Sequence, residues 1–189
     1  MSQKIVLMSS PEYFKVEYSI NPWMVPGTNV DLELAKDQWN GLKRTIEEAG
    51  AEVKVVPPSE NHPDLVFTAN SGIIRGNDVL IANFKFEERR GEEEIYIKWF
   101  KENEYNVSRI PPDYKFEGRG DAFVYGDYLV GSYGVRSDKE ALLYIAEHFE
   151  LEPVIVELAQ EKFYHLDTCF QHFSNCLLYT SDAADELSS

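Results

Sequence analysis

Three stretches of the chain place apolar residues at helical spacing, and each is followed by a short β-branched run. In DLELAKDQWNGLKRTIEEAGAEVKVVPP, Leu32, Ala35, Trp39, Leu42 and Ile46 share one face, Gly50 ends the helix, and Val53 to Val56 read as a strand. In GEEEIYIKWFKENEYNVSRIPP, Ile95, Trp99 and Phe100 mark the buried side. In SDKEALLYIAEHFELEPVIVELA, the stripe is Leu142, Ile145, Ala146 and Phe149, and Ser137 with Glu140 reads as a capping box. The strands after these helices begin at Val53, Val107 and Val154, a period of about 50 residues. VFTANSGIIRGNDVLIANF and FEGRGDAFVYGDYLVGSYG repeat a second pattern of strand, turn and strand, with Gly76 and Gly126 at the turns. The predicted unit is strand–strand–helix–strand, in an α/β chain whose units bury their faces against neighbours. KIVLMSS opens the first unit, and FYHLDTCF reads as the opening strand of a fourth.

Composition narrows the class. Hydrophobic residues make up 43% and aromatics 13%, enough for a core and against disorder. A net charge of -15 repels nucleic acid and anionic membranes and favours small cations. Two cysteines make no disulfide framework. MSQKIVLMSS has no signal-peptide pattern, and no apolar run reaches the roughly 20 residues of a membrane span, so the expected location is the cytoplasm.

DLVFTANSG, KFEGRGDAF and FYHLDTCF sit at equivalent places in the repeat, so units arranged around an axis would bring them to a common centre. Glu117 and Asp121 flank Gly118 and Gly120, whose backbone can approach a ligand closely. His165, Asp167 and Cys169 alternate on one face of an expected strand, and a histidine beside carboxylates suits general acid–base work. Arg136 follows a glycine turn and could grip a carboxylate by two parallel hydrogen bonds. The plainer readings are a solvated turn, a half-buried strand and a surface arginine. His165, Asp167, Cys169 and His172 are metal-ligand types, but their spacing matches no common zinc pattern. No metal or other cofactor is expected.

PEYFKVEYSINPWM, DLVFTANSG, FEGRGDAF and FYHLDTCF, in this order, resemble the arginine deiminase, dimethylarginine dimethylaminohydrolase and amidinotransferase superfamily of guanidino-group-modifying enzymes. The resemblance runs from about Lys4 to Phe170. It implies the pentein fold, an α/β propeller of five ββαβ modules around a central channel. About three modules would be present here, with the start of a fourth. It also implies a cysteine thiolate that attacks the guanidinium carbon, forming a covalent intermediate that water or an acceptor amine resolves. By motif, Glu117 and His165 would be catalytic, and Asn70, Asp121, Arg136 and Asp167 would bind a small cationic guanidino substrate. Asn70 departs from the family pattern, which has an aspartate there in arginine deiminases. An amide brings no charge, which puts free arginine in doubt. The family nucleophile lies in a glycine-rich C-terminal segment that this chain does not match, and Cys169 reads as structural.

Residues 1–175 are expected to be a partial domain of this kind, and 176–189 translated sequencing adapter. Cys176 to Ser181 can be encoded as TGTCTCTTATACACATCT, the end sequence of a transposase used to fragment DNA, and DAADE continues into its adapter. The expected function of the parent is C–N hydrolysis of an arginine-like or methylated-arginine substrate. The alternatives are amidino transfer to an amine, or a non-catalytic pentein binding protein. The fragment itself is expected to be inactive. The full-length protein is not expected to bind nucleic acid or membranes, and a homo-oligomer is left open.

Overall fold

β1 (Ile5–Ser9) and β2 (Glu52–Val56) pair in parallel, joined by α1 (Leu32–Glu48), in a computed structural model that describes residues 4–173 and 176–179. Asp31 caps α1 by accepting from the Leu34 amide at 3.0 Å, and Gly50 leaves the helix at φ +88°. The second unit runs β3 (Gly72–Arg75), β4 (Asp78–Ile81), a single turn α2 (Glu87–Arg90), α3 (Glu92–Glu102) and β5 (Asn106–Arg109). The third runs β6 (Ala122–Tyr125), β7 (Tyr128–Tyr133), α4 (Lys139–His148) and β8 (Glu152–Glu157). In each, the hairpin is antiparallel and the strand after the helix returns parallel to the second hairpin strand. Gly76 and Gly126 turn the hairpins at φ +62° and +59°, conformations open to glycine. β9 (Phe170–Phe173) then pairs antiparallel with β10 (Cys176–Tyr179).

The ββαβ unit is therefore complete twice, while the first unit shows two strands among the described residues. Neighbouring units share their cores. Val79 and Ile81 of β4 pack with Val56, Leu65, Tyr96 and Phe100. Leu80, on the other face of the same strand, packs with Phe116, Leu129, Leu142 and Ile145 of the third unit. This two-sided burial is what a repeat needs when no unit can close its own core.

Three local expectations are corrected. Leu42 was expected on a buried face but is 55% exposed: α1 packs against β2 and the Pro11–Tyr13 turn and buries none of its residues fully. Ser137 does not cap α4: Asp138 takes that position, and the Ser137 hydroxyl donates to Asp121 instead. His165 to Cys169 do not alternate on a strand. Leu166–Thr168 form a 3-10 turn, which leaves His165 and Cys169 buried and Asp167 exposed, and β9 starts only at Phe170. The adapter expectation for 176–189 lies outside the described residues except for the four residues of β10. No helix among the described residues is long and apolar enough to cross a membrane.

Candidate active site

Each hairpin of the second and third units, like β9, is entered through a 3-10 turn: Thr68–Ser71, Gly118–Gly120 and Leu166–Thr168. These turns carry the singled-out polar residues, and the topology brings them together. The first two touch backbone to backbone at Gly118, where an added Cβ would sit 2.6 Å from the Asn70 carbonyl carbon, at φ +70°. Gly118→Ala must strain the left-handed backbone and push the turns apart. We expect a loss of at least about 2 kcal/mol, seen as a lower urea midpoint.

The result is a buried polar cluster. His165 Nδ1 lies 2.8 Å from Asp121 Oδ1 and its Nε2 lies 3.5 Å from Glu117 Oε2. The Ser137 hydroxyl donates to the other Asp121 oxygen and accepts from the Glu117 amide at 3.0 Å. Asn70 Nδ2 donates to the Glu117 carbonyl at 2.8 Å and stands 3.3 Å from His165 Nε2. Glu117 is fully buried, and its carboxylate receives the Lys85 amide and Arg136 Nη1, the latter at 2.6 Å. Asp167 stands two residues from His165; part of the residue reaches solvent, but the protein packed about its carboxyl desolvates it and raises it, while His165 draws it back.

Arg136 is placed differently from its expected role. It is buried between the rings of Phe86 and Tyr164. Nη1 is bound to Glu117 and Nη2 donates to the Ile20 carbonyl at 2.7 Å. A two-pronged grip on a substrate carboxylate is thus unavailable in this state. Nε is the one guanidinium nitrogen of Arg136 with no hydrogen-bond partner among the described residues.

Beside the cluster lies a cavity of about 520 Å³, within the usual range for small-ligand sites. Phe14, Trp23 and Phe67 contribute its apolar wall, and Asn70, His165 and Asp167 its polar end. Two lining groups escaped the sequence reading. Asp64 opens DLVFTANSG, a motif read for Asn70, and Arg89 was hidden in a charged run that reads as a solvated helix face. Asp64 is buried, and its Oδ1 and the Tyr18 hydroxyl face each other without a hydrogen bond of normal geometry; burial, and then Asp64, push that hydroxyl far above its ordinary range. Burial holds the Asp64 carboxyl above the ordinary carboxylate range against the pull of Arg89. An acid raised on folding holds more proton in the folded than in the unfolded state, so stability falls as pH climbs through that window. Asp64→Asn should therefore raise the urea midpoint near neutral pH, with the gain vanishing below about pH 4.

Cys169 is 7% exposed, donates to the Leu166 carbonyl, and has its thiol raised by burial and by Asp167. It is a thiol in a structural position rather than an activated thiolate. No group of three or more potential metal ligands occurs among the described residues.

This fold and this cluster define a protein of the pentein-type, guanidino-group-modifying superfamily. More narrowly, the chain belongs to the N,N dimethylarginine dimethylhydrolase family, whose eukaryotic profile matches residues 22–182. It is 42% identical over 188 residues to the bifunctional arginine dihydrolase/ornithine cyclodeaminase ArgZ of Synechocystis, covering 97% of this chain and 26% of that protein. It is 37% identical over 161 residues to the N(G),N(G)-dimethylarginine dimethylaminohydrolase of Mycobacterium tuberculosis, covering 85% of this chain and 53% of the relative. The crystal structure of a mutant N-terminal domain of ArgZ, covalently bound to a reaction intermediate, superposes with a TM-score of 0.86 at 38% identity, covering 97% of this chain and 71% of that one. The chain thus spans about a quarter of the length of the first curated relatives it matches.

Proposed function

We propose that the parent protein hydrolyses a C–N bond of the guanidino group of arginine or a methylated arginine. The observation that carries this is the electrostatics of the site. Five carboxyls (Asp64, Glu92, Glu117, Asp121 and Asp167) meet two guanidiniums, Arg89 and Arg136, in and beneath one small cavity. A cationic planar group enters such a field favourably. Two of the buried polar atoms that lack a hydrogen bond of normal geometry fit the other end of the same ligand. An α-amino acid carries an ammonium for Asp64 Oδ1 and a carboxylate for Arg136 Nε.

In this reading a cysteine supplied by the remainder of a longer protein gives its thiol proton to His165 Nε2 and attacks the guanidinium carbon, since Cys169 is bonded and buried away. The C–N bond breaks, and His165 passes that proton to the leaving amine. Water, deprotonated by His165, then attacks the S-bound carbon, and the thiolate departs as the urea-type product forms. Asp121 orients the imidazole through Nδ1, and Glu117 stands beside Nε2 where the proton passes. A covalent intermediate trapped on ArgZ supports this chemistry by similarity. The amide at Asn70 argued against free arginine; the dihydrolase named among the relatives restores arginine as a candidate beside its methylated forms. The same reading holds that residues 176–189 are not native and that the 189-residue chain alone is inactive.

Product analysis of the full-length protein with and without acceptor amines tests the reaction class. A urea-type product or its breakdown products, unchanged by acceptors, supports hydrolysis. A new guanidine that appears only with the acceptor would make the protein an amidinotransferase.

A further inference from the structure

Glu92 is the first residue of α3 and has no solvent exposure, yet nothing in the proposed chemistry uses it. It holds Arg89 in a two-pronged ion pair, with Nε to Oε1 and Nη2 to Oε2 both at 2.8 Å. Burial pushes the Glu92 carboxyl upward and Arg89 pulls it back; burial likewise works against the Arg89 charge, but Glu92 outweighs it and keeps it protonated. A buried pair of this kind is weak as a source of stability. Its geometry offers another use. Arg89 Nη1 donates to Asn70 Oδ1 at 3.0 Å.

A guanidinium has only donors, whereas a carboxamide has one acceptor and one donating end. Arg89 therefore dictates which way the Asn70 amide faces. With Oδ1 on Arg89, Nδ2 must point at the Glu117 carbonyl and at His165 Nε2. The flipped amide would set donor against donor at Arg89 and acceptor against acceptor at Glu117. His165 faces Asp121 at Nδ1 and Glu117 across 3.5 Å at Nε2, with Asp167 two residues on. The Asn70 N–H opposes a second proton on the ring, because only an unprotonated Nε2 can accept that bond.

We propose that Arg89, fixed by Glu92, is a positioning residue that orients the Asn70 carboxamide so that the His165 imidazole rests neutral with its lone pair at Nε2. The catalytic meaning of that state rests on the hydrolase reading; the state itself does not.

The test is the ¹⁵N spectrum of the histidine-labelled full-length protein at about pH 7.5, above the ordinary histidine range. His165 is assigned by its loss in His165→Asn. The wild type should show a protonated Nδ1 and an unprotonated Nε2. A protonated Nε2 in the wild type overturns the proposal without any variant. The double variant Arg89→Leu with Glu92→Leu replaces the pair by apolar residues, an exchange that buried pairs often tolerate. In it the Nε2 resonance should shift toward the protonated position while far-UV circular dichroism stays that of the wild type. A folded double variant with an unshifted Nε2 refutes the role. Asn70→Asp, nearly isosteric and unable to donate, should produce the same shift; an unshifted Nε2 there would equally refute it. None of these readouts needs turnover, so the proposal and the hydrolase reading fail separately.

Discussion

Replacing His165 by asparagine in the full-length protein should lower kcat by about 10²–10⁴-fold, with KM changed far less. Asparagine can keep a hydrogen bond to Asp121, so the packing beneath the cavity survives while the proton carrier is lost. His165 holds Asp121 at 2.8 Å and reaches within 3.5 Å of Glu117, and two proton transfers converge on its Nε2. Steady-state kinetics on the substrate that turns over best would show the effect. If kcat survives His165→Asn, the proton traffic belongs to another group, and the exposed Asp167 is the next candidate.

The second large effect is on stability. Arg136→Met should cost about 3–5 kcal/mol, because it strands the Glu117 carboxylate in a fully buried site. It also releases the carbonyl of Ile20, the one strong tie between Arg136 and the long loop that lines the cavity mouth. The size follows from burial. Lys43 and Glu47 form a pair of similar length, 2.8 Å, on the exposed face of α1, and cutting it should cost no more than about 0.5 kcal/mol. Urea unfolding of the two variants side by side would check the contrast. The double variant Arg136→Met with Glu117→Met should recover much of the loss, since an absent charge needs no partner. If Arg136→Met alone is mild, Glu117 is better solvated than its burial indicates.

These two residues also show how far the sequence could be read. The repeat was legible because its signals are local: a helical stripe in Leu142, Ile145, Ala146 and Phe149, and turn glycines at 76 and 126. Convergence of Asn70, Glu117, Asp121 and His165 was legible through the repeat, since equivalent turns in a propeller meet at its centre. What was not legible depends on competition between partners. Ser137 has a helix N-terminus beside it and a capping-box glutamate three residues on, yet Asp121 and the Glu117 amide, distant in sequence, claim its hydroxyl. Arg136 was placed at the site, but the identity of its partner, Glu117 rather than a ligand, is a tertiary fact. Glu92 and Arg89 look like solvated members of the run EERRGEEE; only the packing of α3 against β4 shows them to be interior. The register of HLDTC as a turn rather than a strand is of the same kind, because alternation of polar and apolar residues over five positions fits either.

A guanidino C–N hydrolase must release an amine from its substrate. The most direct test supplies the full-length protein separately with L-arginine and with Nω,Nω-dimethylarginine and measures ammonia and dimethylamine released. One or both amines should be released, and His165→Asn should abolish the release. A well-folded full-length protein that releases no amine from either compound would contradict the hydrolase reading, and the buried cluster around Glu117 would then have to be read as a binding site without chemistry.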